Sequence, residues 1–389
     1  MSDRCRIADR MERIRPFYVM QLLARARQLE AEGRSIIHME VGEPDFDTPA
    51  PITRAGRQAL AEGRTHYTPA AGLPELRRAI AAHYRSRYGR ELEPERIVVT
   101  PGSSGALQLL VSVLLNPGDA VLLPDPGYPC NRHFVHLVGG VPVALPVGPE
   151  SRYQPTAEAV AAAWTERTRM LLLGSPSNPT GTLLTPEELR AIHRVVQERD
   201  GVLIVDEVYQ GLIYEGEGST ALAIADDLFV INSFSKYFGM TGWRLGWLVA
   251  PGGCVEPIER LAQNIFLSAP TPAQYAALAA FGAETEQILD QRRNEFRRRR
   301  DYLLPALEEI GFRIPVAPGG AFYLYGDCSG ITGDSFRFAT ELLEQAGVAV
   351  TPGLDFGAHR PERHIRFAYT TSLENLQEGV RRIREYLTR

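Results

Sequence analysis

Leu228-Phe229-Val230-Ile231-Asn232-Ser233-Phe234-Ser235-Lys236-Tyr237-Phe238-Gly239-Met240-Thr241-Gly242-Trp243-Arg244 is the stretch on which the reading of this chain turns. Its first four residues are apolar without polar alternation, the pattern of a strand covered on both faces. Two serines, a lysine and an arginine follow at once. Lys236 is the only lysine; the sequence holds 42 Lys+Arg, and every other one is arginine. An amine can lose its proton, attack a carbonyl and form an imine, whereas a guanidinium with its very high pKa cannot. The plain alternative is that a strong arginine bias left one lysine by chance, and the residues around it must decide.

The same pattern repeats outward from this stretch. Apolar runs at 97–99, 120–123, 141–145, 170–173, 202–205 and 245–249 read as further strands of the same buried kind. Several end in unusual polar clusters: Gly102-Ser103-Ser104-Gly105, which opens a helix predicted over 106–115; Asp125-Pro126-Gly127-Tyr128; Ser175-Pro176-Ser177-Asn178-Pro179-Thr180-Gly181; and Asp206-Glu207-Val208-Tyr209. The fold class is therefore α/β, a mostly parallel sheet with helices on both faces. In such sheets ligands bind just past the carboxyl ends of the strands, where these clusters fall.

Before this region come an amphipathic helix opened by Pro16, a strand at 36–39, the loop Gly42-Glu43-Pro44-Asp45-Phe46, and helices at 52–62 and from Pro74. After Pro272 the pattern changes to long helices (272–281, 284–310) mixed with short strands at 321–325, 348–350 and 364–369, a helix at 335–346 and a closing helix from Leu373. This predicts an N-terminal segment (1–44) packed with a small α+β domain (284–389), and a large domain (45–283) between them.

With 389 residues, 44% hydrophobic, 23% charged and a net charge of −5, the chain reads as an ordinary globular protein with no pull toward nucleic acid. The run Arg297-Arg298-Arg299-Arg300 lies in a helical pattern and reads as a solvated face. Cys5, Cys130, Cys254 and Cys328 are far apart without C-x-x-C, and the eight histidines show no H-E-x-x-H. That gives neither a disulfide framework nor a metal pattern, and it fits a reducing cytoplasm. Residues 1–15 alternate in charge, unlike a signal peptide, and the longest apolar run is too short to span a membrane.

Ser233, Ser235 and Arg244 surround Lys236 with donors suited to a phosphate, and a helix opening at Gly102 offers unpaired N–H groups to the same end. A serine at a helix start is more often a cap. Asp206, at a strand end, can hold a proton on a ring nitrogen. Tyr209 and Asn178 can reach a phenolic oxygen, and Tyr128 offers a face for stacking; these are the demands of a pyridoxal ring.

With Tyr67-Thr68-Pro69-Ala70-Ala71-Gly72 added to these pieces, the chain resembles, over nearly its whole length, a fold-type I pyridoxal-phosphate-dependent aminotransferase of class I/II, in the aspartate aminotransferase superfamily. The resemblance implies a Schiff-base and proton-shuttling role for Lys236 and a pyridinium partner in Asp206. Tyr209 and Asn178 would serve the ring oxygen, with Tyr128 stacking. A phosphate cup would be made of Arg244, Ser233, Ser235 and the Ser103-Ser104-Gly105 turn. Tyr67 would reach the phosphate of a neighbouring subunit in a homodimer with composite sites. Arg366 would fork onto the substrate α-carboxylate beside Gly42. A ping-pong exchange between an L-amino acid and a 2-oxo acid follows.

The side-chain pocket would draw on Phe17, Tyr18, Val19, the Ser104 turn and Tyr323, with Tyr128 and Asn178 also touching substrate. None of these is a cation, which favours a neutral donor (alanine, branched-chain or aromatic) paired with 2-oxoglutarate/glutamate or pyruvate. A C–S β-lyase of the same fold is the alternative. A non-catalytic ligand sensor, as found fused behind a winged helix, is disfavoured because few residues precede Gly42.

Overall fold

The computed structural model describes residues 6–216 and 218–389; Cys5 lies outside them. Twelve short strands are present among these residues. β1 (Ile37–His38) comes first, followed by β2 (Ile97–Thr100), β3 (Ala120–Asp125), β4 (Val141–Pro146), β5 (Thr168–Gly174), β6 (Val202–Asp206), β7 (Phe229–Ser233) and β8 (Gly246–Val249). β9 (Tyr323–Asp327), β10 (Val348–Ala349), β11 (Thr351–Pro352) and β12 (His364–Ala368) belong to the C-terminal part.

β2 to β8 form one sheet in the order β2-β8-β7-β6-β5-β3-β4. All its pairings are parallel except the two made by β8. Successive residues along a strand join different cores: Leu171, Leu203, Val205 and Val230 pack on one face, and Met170, Leu172, Ile204 and Ile231 on the other. That two-sided burial explains why these runs show no polar alternation. β4 departs from the expectation. It is an edge strand, and Val141 is 43% exposed, because only one neighbour covers it.

The C-terminal part has an antiparallel sheet, β11-β12-β9, and β1 pairs in parallel with β10, which ties the start of the chain to its end. The helix Ala283–Glu309 runs between the two parts. Its arginine run is not uniformly solvated: Arg299 is 4% and Arg300 is 8% exposed. Consecutive residues on a helix point 100° apart, so four in a row cannot all face water when one side is packed. Helices at Cys130–Leu137, Ala157–Ala163 and Val255–Ile265 have no counterpart in the sequence reading. The helix predicted at 335–346 is α-helical only over Ser335–Glu341 and closes as a π-turn. No helix among the described residues is long and apolar enough to cross a membrane.

Candidate active site

Register brings the strand ends together. Asp206 at the end of β6 pairs with Gly174 of β5 and Ile231 of β7, so Asp206, Asn178 and Lys236 leave the same edge of the sheet. There they meet a cavity of roughly 410 Å³, lined on the sheet side by Ser103, Tyr128, Asn178, Asp206, Tyr209 and Lys236. Gly42, Tyr323 and Arg366 line it from the other part of the chain.

The Lys236 amine donates to the Gly42 carbonyl at 2.7 Å. Burial lowers its pKa to about 8, with Arg366 and Arg244 pushing the same way and Glu43 and Asp206 opposing. Burial raises the Asp206 carboxyl to about 6, against a hydrogen bond from the Val208 N–H at 3.1 Å and the attraction of Lys236. Tyr209 and Tyr323 share a hydrogen bond of 2.8 Å between their hydroxyls. A Cβ on Gly42 would fall 1.9 Å from the Tyr323 hydroxyl, so only glycine lets the loop pass. Arg366 is 2% exposed. It donates to Asn178 Oδ1 at 3.0 Å, to Thr351 Oγ1 at 3.3 Å and to the Glu40 carbonyl, while its Nε has no partner. Its guanidinium lies over Tyr323 and Phe356, 4.3 and 4.8 Å from the ring centres.

A lysine, a carboxylate at a strand end and a buried arginine thus stand around one cavity. The family described as aminotransferase class I and II matches residues 34–383. The chain belongs to that family. It is 39% identical over 386 residues to the (5-formylfuran-3-yl)methyl phosphate transaminase of Methanocaldococcus jannaschii, covering 98% of this chain and 100% of that one. It is 38% identical over 374 residues to the valine–pyruvate aminotransferase of Mycobacterium tuberculosis, with 96% of each covered. Among solved structures, an aminotransferase from Mycobacterium tuberculosis superposes with a TM-score of 0.95 at 38% identity over 99% of both chains. The aspartate aminotransferase of Thermus thermophilus with maleate does so at 0.93 and 38%, over 98% of this chain and 99% of that one. The family is generally dependent on pyridoxal phosphate and uses amino-acid and keto-acid substrates.

Other expected residues of this aminotransferase take different places. Its helix begins at Gly102, not 106, so Ser103, Ser104 and Gly105 lie in the first turn rather than before it, and Pro101 stands at the cap. Ser103 faces the cavity, while Ser104 is exposed and does not line it. Gly105 is buried, with space for no side chain against Pro101. Ser233 is 2% exposed and turned inward, its hydroxyl accepting from the Ser235 N–H at 3.0 Å. Arg244 has a left-handed backbone (φ +54°) and reaches Ser235 Oγ at 3.4 Å. Tyr67 is 81% exposed, away from the cavity of its own chain.

Tyr18 is not in the cavity wall. Its ring packs edge-on against Phe336, and Phe17, Val19 and Met20 line the cavity instead, because a helical start at Tyr18 turns consecutive residues apart. The sequence reading found no cation in the side-chain pocket. Arg132, on the helix Cys130–Leu137, is one: it lines the same cavity as Arg366. Its only signal in the sequence is its place four residues after Tyr128.

Proposed function

We propose that this aminotransferase carries pyridoxal phosphate on Lys236 and moves an amino group between an L-amino acid and a 2-oxo acid in two half-reactions. The single observation behind this reading is Lys236 itself, the sole lysine, desolvated in a cavity with Asp206 and Arg366.

The residues suit the cofactor. Gly102 has φ +70°, and a Cβ there would come within 2.6 Å of Arg244 Nη2, so the arginine can lie directly against the helix start. Arg244, Ser103, Ser235 and the first-turn N–H groups, including those of Ser104 and Gly105, would hold the phosphate end, with Ser233 supporting Ser235 from behind. Asp206 would take the ring nitrogen, Asn178 and Tyr209 the ring oxygen, and Tyr128 a ring face.

When bound, the cofactor supplies an aldehyde carbon for covalent attachment and an electron-withdrawing ring. The chain's residues do the rest. Arg366 forks onto the substrate α-carboxylate, using donors that have no carboxylate partner among the described residues. Asp206 holds a proton on the ring nitrogen. With the cofactor bound, the Lys236 amine would take the substrate α-proton and hand it back, acting first as base and then as acid. Tyr323 holds Tyr209 in place through the shared hydrogen bond.

The apolar wall of Phe17, Val19, Met20, Pro142 and Ala144 accommodates a neutral side chain. With the valine–pyruvate relative, it supports a neutral donor, with glutamate/2-oxoglutarate or pyruvate as the second pair. Exposed Tyr67 supports a homodimer in which it reaches the partner's phosphate end. The pairing of β1 with β10 supports a division at 44 and 283.

Borohydride reduction of the holoenzyme followed by peptide mapping tests the attachment: the adduct is expected on the Lys236 peptide, and an adduct absent from it overturns the reading. Lys236→Arg is expected to abolish transamination. Steady release of pyruvate and ammonia without an oxo acid would replace transamination by β-elimination.

A further inference from the structure

Arg132 is a second guanidinium facing the cavity that the reaction as described does not use. It is partly buried and makes no ion pair with any carboxylate among the described residues; its one bond, at 3.4 Å, goes to the Asp355 carbonyl. The Asp355 carboxylate accepts from the N–H groups of Tyr18 and Val19 at 3.0 and 3.2 Å and forms no ion pair with Arg132. Phe356, the next residue, lies under Arg366 at 4.8 Å and also lines the cavity. A partly desolvated charge without a counter-ion is costly unless something completes it.

We propose that Arg132 binds a second anionic group at the far end of the substrate side chain, so that the enzyme takes amino acids and oxo acids bearing two anions as well as neutral ones. This rests on the proposed function and names the residue that would read the acidic member of its substrate pair. The recognised chemistry is a carboxylate or a phosphate, held by the forked donors of a guanidinium. Neutral side chains would lie on the apolar wall and leave Arg132 to water.

Two measurements on the holoenzyme test this. The first is calorimetric titration with glutarate and with butyrate, neither of which can react. Glutarate is expected to bind more tightly, and Arg132→Gln to remove most of that advantage while leaving butyrate unchanged. The second is kcat/KM for L-glutamate against its neutral isostere L-glutamine, and against alanine. Arg132→Gln is expected to lower the glutamate value roughly 10- to 100-fold and to leave glutamine and alanine within about 3-fold, a span that a lost exposed contact does not exceed. Arg132→Lys should recover part of the loss, which also separates lost charge from misfolding. O-phospho-L-serine, run alongside, tells whether phosphate or carboxylate is preferred.

Equal binding of glutarate and butyrate by the wild type overturns the proposal. So does an Arg132→Gln variant that weakens all donors alike. If no donor yields an oxo acid while glutarate still binds in an Arg132-dependent way, the proposed function fails and the anion site stands.

Discussion

Arg299 and Arg366 are buried almost equally, 4% and 2% exposed, and partnered in opposite ways. Arg299 reaches Asp45 at 2.8 Å and Glu295 at 3.0 Å, and sits near the Phe46 and Phe296 rings. Its charge is answered within the chain, and it fastens the Gly42–Phe46 loop to the long helix. Arg366 meets only a carbonyl, an amide oxygen and a hydroxyl, and its Nε meets nothing. A buried cation without a counter-ion costs several kcal/mol, and a carboxylate ligand is what would relieve it. Burial alone does not separate a structural arginine from a binding one; the missing partner does.

The comparison can be broken at either end. Arg366→Gln is expected to lower kcat/KM for all α-amino acids roughly 100- to 1000-fold while shifting Tm less than the Arg299 change below; activity within a few-fold of wild type would end the distinction. Arg299→Met should do the reverse. With Asp45 about a quarter exposed and left facing a thioether, while Glu295 keeps Arg298 at 2.8 Å, stability should drop by about 2 kcal/mol, below the full range for a buried pair. Its kcat/KM should stay within a few-fold, as denaturant melts and kinetics on the same preparation would show.

Gly42→Ala sharpens the Arg366 side, because the new Cβ must displace Tyr323 from Tyr209 and from under the guanidinium. Overpacking of this kind costs about 1–3 kcal/mol, and a loss of activity near 10-fold is expected.

The smallest effect is a pH dependence behind Arg366. His38 is raised to about 9, first by its hydrogen bond to the fully buried Glu40, whose carbonyl accepts from Arg366. A raised histidine stabilises the fold fully below its ordinary value near 6.5, and that contribution is lost as the pH climbs through 9. Tm should therefore decline over that window. His38→Gln should flatten this part of the profile, and an unchanged slope in the variant would assign the decline elsewhere.

Legibility in the sequence followed the physics of each feature. β5, β6 and β7 could be read because strands buried on both faces must be apolar throughout, whatever surrounds them. β4 gave the same signal at the sheet edge, since a short apolar run does not record how many neighbours cover it. Asn178, Asp206 and Lys236 stood out because polar residues directly after buried strands have few structural reasons to be there. Of Phe17, Tyr18 and Val19, only Tyr18 falls outside the cavity wall, because the helix phase at Tyr18 decides which neighbours turn inward. Arg299 and Arg300 looked like their exposed neighbours Arg297 and Arg298, since a run of one residue type carries no periodicity.

By itself the sequence determined the α/β class, the ligand-binding edge of the sheet and the lysine that alone can form an imine. Those follow from hydrophobic pattern and from the difference between an amine and a guanidinium, both local properties. Only the tertiary structure decided that Arg132 lines the same cavity as Arg366 and pairs with no carboxylate among the described residues. Partners absent in space leave no local pattern, and the two arginines lie 234 positions apart in the chain.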